Sequence, residues 1–134
     1  MADRTRPFVV YVMDDDASVR TSLSRLMRVS GFEVEAFGSP EDFLAKVSPD
    51  WVGCILLDMT LPRLNGLVVQ QRLAEKGISM PVIALSARDD DGVRDACRAL
   101  GARYFLHKPV DHQALLDAIS WVSSKDAPGS QTAP

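Results

Sequence analysis

The chain has 134 residues, 46% of them hydrophobic and 25% charged, with a formal net charge of -3. That length suits one ordinary domain with a usable core, and two would be cramped. Charges of both signs are interspersed and no Lys/Arg block occurs. The composition therefore offers no footprint for nucleic acid or a membrane surface, and the expected partner is a protein or a small, locally held anion.

Residues 1–7 read as an N-terminal extension, since "MADRTRP" has no apolar signal-like core. "FVVYVM" (8–13) is a short β-branched and aromatic run and predicts a strand. The following segment sets Val19, Leu23, Leu26 and Met27 at helical spacing and stops at Gly31. "EVEAF" (33–37) alternates like a second strand, and "SPEDFLAKV" opens a second helix, with Ser39 as N-cap and Pro40 at its first position. "WVGCILLD" (51–58) is the continuous apolar run expected of a central strand covered on both faces. A Pro/Asn/Gly loop then leads into the helical "GLVVQQRLAEKG". "PVIALS" and "DDGVRDACRALG" form a fourth pair, with Val93, Ala96, Cys97 and Leu100 on one stripe. "YFLHKP" and "DHQALLDAISWVSS" form the fifth, with Leu115, Ile119 and Val122 recurring along the helix. Cys54 and Cys97 read as free buried thiols in a reducing cytoplasm rather than a disulfide or ligand pair. The apolar runs are far short of the roughly 20 residues that span a bilayer. The tail 125–134, rich in Pro, Gly and Ser, reads as a flexible end or linker.

Five strand–helix units predict an α/β fold: a five-stranded parallel sheet, doubly wound, in a single (βα)5 domain over 8–124. Such sheets bind ligands outside the carboxyl ends of their strands, where the strand order switches direction. Asp14 and Asp15 follow the first strand, Asp58 ends the third, Ser86 ends the fourth and Lys108 follows the fifth, so all should meet at one edge. Two like unit charges about 4 Å apart repel by roughly 4 kcal/mol near a protein surface, so gathered acids need a cation or a shifted pKa. A cluster of hard carboxylate oxygens suits Mg²⁺. Each residue also has a plainer reading: Asp16 as cap of the first helix, Asp14 and Asp15 as solvated loop acids, Ser86 as a cap and Lys108 as a surface charge. Asp58 is the hardest to treat so, because an acid ending "CILL" is costly unless paired or exposed at the crevice.

With these motifs in hand, the chain resembles the receiver domain of bacterial two-component response regulators, from about Phe8 to Ser123. "VMDDD" is similar to the acidic motif after the first strand, "LLDMTLPRLNG" to the phosphoacceptor motif, "ALSA" to the switch-hydroxyl motif and "FLHKP" to the Lys-Pro motif. "VVYVMDDDASVRTSL", "FLAKV" and "QALLDAI" resemble the FixJ-type branch. The resemblance implies a flavodoxin-like receiver fold in which Asp58 accepts a phosphoryl group from the phosphohistidine of a sensor histidine kinase. It implies Mg²⁺ held by Asp15 and Asp58 directly, by Asp14 through water and by the backbone carbonyl of Thr60. Lys108 would pair with Asp58 and then with a phosphoryl oxygen. Ser86 and Phe105 would switch the surface of the fourth helix, fifth strand and fifth helix, while Thr60 and Arg88 would tune access of water to the phosphoaspartate. A downstream effector domain or protein and a phosphorylation-dependent homodimer are the further partners it implies, with no direct nucleic acid and no membrane contact.

Departures from the family pattern are mild. Ser86 stands where Thr is commoner, Leu61 where Met is frequent, Phe105 lacks a phenolic hydroxyl, and Val110 follows Lys-Pro where an aromatic is usual. None removes a reacting group. Two rivals come from other classes. One is a haloacid-dehalogenase-like phosphatase with Asp14 as nucleophile, since "MDDDAS" also fits Asp-x-Asp-x-(Thr/Ser). It leaves Asp58 unexplained and lacks a further acidic strand end after Lys108. The other is a non-phosphorylated interaction module. Incubation with Mg²⁺ and a small phosphodonor separates the three.

Overall fold

The computed structural model describes residues 7–60, 65–87 and 91–123. Strands and helices alternate strictly. They are β1 (Val9–Met13), α1 (Ala17–Val29), β2 (Glu33–Phe37), α2 (Pro40–Lys46), β3 (Gly53–Asp58), α3 (Gly66–Glu75), β4 (Val82–Ser86), α4 (Asp91–Ala99), β5 (Ala102–His107) and α5 (His112–Ser123). All five strands run parallel in the order β2-β1-β3-β4-β5. The chain therefore winds first to one side of β1 and then to the other, and the crevice of the switch lies between β1 and β3 at their carboxyl ends.

Alternation along the strands divides the interior into two cores. Tyr11, Met13, Ile55, Leu57 and Ala84 pack with Phe43, Val69, Leu73 and Cys97, against α2, α3 and α4. Val10, Val12, Cys54, Leu56, Ile83 and Leu85 pack on the other face with Leu23, Met27, Leu115 and Ile119 of α1 and α5. Each fully buried aliphatic side chain contributes about 1.5–3 kcal/mol. This explains why β3 and β4 are apolar up to their last residues, Asp58 and Ser86: every residue of both is buried. The edge strands β2 and β5 keep exposed positions.

Local signals set the helix ends. The Asp16 carboxylate accepts from Ser18 N and Val19 N and caps α1, which settles that residue as a cap. Ser39 accepts from Asp42 N ahead of Pro40, and Asn65 accepts from Val68 N to start α3. Gly31, just past α1, has φ +95, a conformation that favours glycine.

Three boundaries differ from the sequence pattern. β3 begins at Gly53 rather than Trp51. A Cβ at Gly53 would overlap the Val9 carbonyl oxygen, so β1 and the start of β3 come together only over a glycine. Trp51 instead stacks on Tyr11, centroids 5.0 Å apart, and Val52 is exposed. Leu100 lies past the end of α4 and is exposed rather than completing its apolar stripe. β5 starts at Ala102, two residues before the apolar run predicts. Among the described residues no helix is long and apolar enough to cross a membrane.

Candidate functional site: a carboxylate cluster at the strand ends

Parallel register carries residues distant in sequence to one edge. β1 ends at Met13 beside Leu57 of β3, so Asp14 and Asp58 emerge side by side. Asp58 pairs with Leu85 on β4, and Ser86 pairs with His107 on β5. Lys108 N donates to Ser86 O (2.8 Å) and Met59 N to Leu85 O (2.8 Å), which extends the ladder into the loops that carry the site. The Lys108–Pro109 peptide bond is cis.

Asp14, Asp58 and Ser86 are almost fully buried, at 2%, 2% and 1% exposure, whereas Asp15 is exposed. Lys108 reaches in from the far side of the cluster. Its Nζ lies 3.2 Å from Asp14 Oδ2 and 3.5 Å from Asp58 Oδ1. The second Asp14 oxygen, Oδ1, accepts from Asp16 N at 3.0 Å. Asp58 Oδ1 also accepts from Thr60 N (3.0 Å) and Thr60 Oγ1 (2.8 Å). Carboxylate oxygens of Asp14, Asp15 and Asp58 lie within 4.8 Å of one another.

Charge in the cluster is not balanced. Burial pushes the Asp14 carboxyl above the usual aspartate range; the Asp16 N–H opposes this, Asp58 repulsion adds to it, and Lys108 again opposes. For Lys108, burial works against the ammonium, but the fields of Asp58 and Asp14 outweigh it and hold its pKa above the ordinary lysine value. One cation thus faces three carboxylates, two of them buried. Three hard oxygen donors at this spacing with excess negative charge fit a small divalent cation.

The geometry adds residues that local sequence patterns gave no reason to single out. Arg20 Nη1 donates to the Asp14 carbonyl oxygen at 2.8 Å and ties the acidic loop to α1. Gly38 leaves room for that guanidinium, since a Cβ there would lie 2.8 Å from Arg20 Nη1. His107 Nε2 is 3.1 Å from the Ala87 carbonyl oxygen, so it joins the segments after β4 and at the end of β5. An Arg four residues after an acidic run is the one signal that could have flagged Arg20. Phe105 is half-buried on β5 with the Arg94 guanidinium 5.1 Å from its ring centroid. Arg88 and Leu61 lie outside the described residues. Val110, the aliphatic substitute after Pro109, packs against the α1/α5 core.

Known proteins resemble this chain in sequence and fold. Residues 10–120 match the family of the response regulator receiver domain. Nodulation protein W of Bradyrhizobium diazoefficiens is 40% identical over 118 residues, which covers 88% of this chain and 52% of that protein. The chain thus spans about half the length of such curated relatives. Among solved structures, the response regulator StyR aligns with a TM-score of 0.84 at 37% identity, over 94% of this chain and 64% of that one. FixJ-N aligns with a TM-score of 0.80 at 29% identity, over 92% of this chain and 95% of that one. With a five-stranded parallel sheet, five helices and an acidic strand-end cluster opposite one lysine, the chain belongs to the response regulator receiver domain family of two-component systems.

Proposed function

We propose that this domain receives a phosphoryl group on Asp58 from the phosphohistidine of a sensor histidine kinase. The observation that carries the reading is a nearly fully buried Asp58 at the strand-order switch, beside Lys108 and within ligand distance of Asp14 and Asp15. Asp58 Oδ1 is held by two Thr60 donors and Lys108, which favours Oδ2 as the attacking atom. An Oδ2 lone pair forms the new O–P bond as the P–N bond to the imidazole breaks, and that electron pair returns to the ring nitrogen. Asp14 is the weaker nucleophile, since Asp16 N and Lys108 occupy both of its oxygens.

Catalysis of this kind rests on positioning and charge neutralisation around the transferring group. Asp15 and Asp58 directly, Asp14 through water and the Thr60 carbonyl would hold Mg²⁺, which supplies positive charge opposite the phosphoryl oxygens. Lys108 supplies the protein's own cation, moving from the two carboxylates to a phosphoryl oxygen. Ser86 offers a hydroxyl to the product, and Phe105, under Arg94, follows the loop after β4, so that the face of α4, β5 and α5 reports the modification. Thr60 and Arg88 would set how readily water reaches the phosphoaspartate.

Residues 8–124 act as the receiver unit and 125–134 as a tail or linker, and the α4-β5-α5 face signals to a downstream effector domain or protein or to a second phosphorylated copy of the chain. Free buried thiols at Cys54 and Cys97, the former pushed up to about 12 by burial, suit a reducing cytoplasm. The test is Asp58→Asn with Mg²⁺ and a small phosphodonor. Acid-stable, base-labile labelling of the parent chain should vanish in the variant, and persistent labelling refutes the assignment.

A further inference from the structure

One flank of α1 gathers positive charge in a chain whose net charge is -3. Arg20, Arg25 and Arg28 all lie on this helix, and α1 is the only one of the five helices that contains no acid. Among the described residues none of the three guanidiniums belongs to an ion pair. Arg28, in the last turn, offsets the helix dipole. Arg25 has no such local reason, and its spacing of three residues from Arg28 sets like charges side by side, which weakens a helix.

The three arginines line an open groove of about 340 Å³ between α1 and the edge strand β2. Thr21 and Ser24 add hydroxyls from α1, and Ala36 lines it from β2. Val34 packs into the α1/α5 core and Phe37 into the other core. Alternation along β2 therefore sets Ala36 on the groove side and Glu33 and Glu35 on the opposite face. Among the described residues no carboxylate lines the groove. Arg20 is held in place, since its Nη1 donates to the Asp14 carbonyl oxygen at 2.8 Å and lies over Gly38. A guanidinium has five N–H donors, so one such bond leaves others to meet a ligand.

A neutral occupant would leave this charge unanswered, whereas an anion meets it. The guanidinium fork pairs with carboxylates and with phosphoryl groups alike, so number and shape separate the two. A carboxylate brings one charge and two oxygens in a plane. A terminal phosphoryl group carries about -1.5 to -2 at pH 7 on three oxygens, and a second one linked to it brings the sum close to the charge of the three arginines. Oxygens pointing in several directions also meet guanidiniums and hydroxyls together. Arg20 and Arg28 stand about 12 Å apart along the helix axis, a spread that a linked pair covers better than one tetrahedral ion. We propose that this groove binds a small anion with two linked phosphoryl groups, either free diphosphate or the diphosphate end of a nucleotide. The site is separate from the strand-end cluster and does not rest on phosphoryl transfer at Asp58.

Inorganic pyrophosphate, titrated into the ¹⁵N-labelled 134-residue chain in Mg²⁺-free buffer of low salt, should shift the signals of residues 20–29 and 34–38 saturably. Orthophosphate should bind roughly tenfold more weakly or worse, having lost one charged partner. ADP, titrated alongside, names the source: tighter binding than pyrophosphate identifies a nucleotide, and equal or weaker binding the free diphosphate. Arg25→Gln with Arg28→Gln should weaken pyrophosphate binding about tenfold or more. Both positions are exposed and Gln is a comparable helix former. Arg72→Gln with Lys76→Gln removes the same charge from exposed positions at the end of α3 and should leave binding nearly unchanged. Ala36→Glu keeps every arginine, sets an acid in the groove from an exposed position and should abolish binding. No saturable shift, equal affinity for orthophosphate, or an equal loss in the α3 variant would each overturn the proposal. So would a hexaglutamate peptide that saturates the same signals more tightly than pyrophosphate, since the groove would then suit an acidic protein segment.

Discussion

The two ends of the sheet bury polar groups to the same depth and solve the problem differently. At the carboxyl end Asp14 and Asp58 share Lys108, an ion pair spanning 94 residues of sequence for Asp14. At the amino end Gln70 is as buried as either aspartate but is neutral, and its amide oxygen has no partner among the described residues. Burial alone therefore does not identify chemistry. What distinguishes the ends is the sign and number of the groups: three carboxylates against one ammonium leave an excess of negative charge that fits a further cation, whereas the amide carries no net charge.

The largest effect expected at the acidic end is on rate. Lys108→Met removes the only cation touching both buried carboxylates among the described residues, and labelling of Asp58 by a small phosphodonor should slow on the order of 10²-fold. Measured by single-turnover labelling, an unchanged rate would reduce Lys108 to a structural charge.

Next comes a contrast inside the triple-Asp run. Asp15→Ala should weaken Mg²⁺ binding by roughly tenfold or more, because it removes one of the three clustered oxygen donors. Asp16→Ala should leave that affinity in place and instead cost about 1 kcal/mol of stability through the lost cap. Calorimetric titration and chemical denaturation together separate the two. An equal effect on metal affinity would blur the distinction between ligand and cap.

The smallest effect is on pH dependence. Because the Asp14 pKa is raised in the folded chain above its ordinary 3.8, the folded state holds the proton longer than the unfolded one. Asp14 thus favours folding at acid pH, and that contribution is lost as pH rises through its folded value. In metal-free buffer Asp14→Asn should be at least as stable as the parent near neutrality and should lack that part of the acid-side slope. A variant markedly less stable at neutral pH would mean that the pairing with Lys108 outweighs the burial.

Much of this was legible in the sequence because it is locally encoded. Period-2 and period-3.6 patterns marked the strands and helices, and unbroken apolar runs marked β3 and β4 as covered on both faces. The rule that ligands gather at carboxyl strand ends brought Asp14, Asp58, Ser86 and Lys108 together before any coordinates. What escaped depends on partners distant in the chain. Nothing near Gly53 reveals that the Val9 carbonyl oxygen occupies the space of its Cβ, and the polar Gln70 within "VVQQRL" looks like an ordinary exposed helix position until α4 covers it. Asp16 reads from the sequence as the cap of α1 rather than a ligand, and the two backbone N–H groups from which its carboxylate accepts bear this out.

The central claim is that the clustered carboxylates and Lys108 make Asp58, and not Asp14, the phosphoryl acceptor. Labelling the 134-residue chain with a small phosphodonor in Mg²⁺, followed by trapping of the acyl phosphate and peptide mapping, tests it directly. The account predicts a single Mg²⁺-dependent adduct on Asp58; an adduct on Asp14, or no adduct under these conditions, would contradict it.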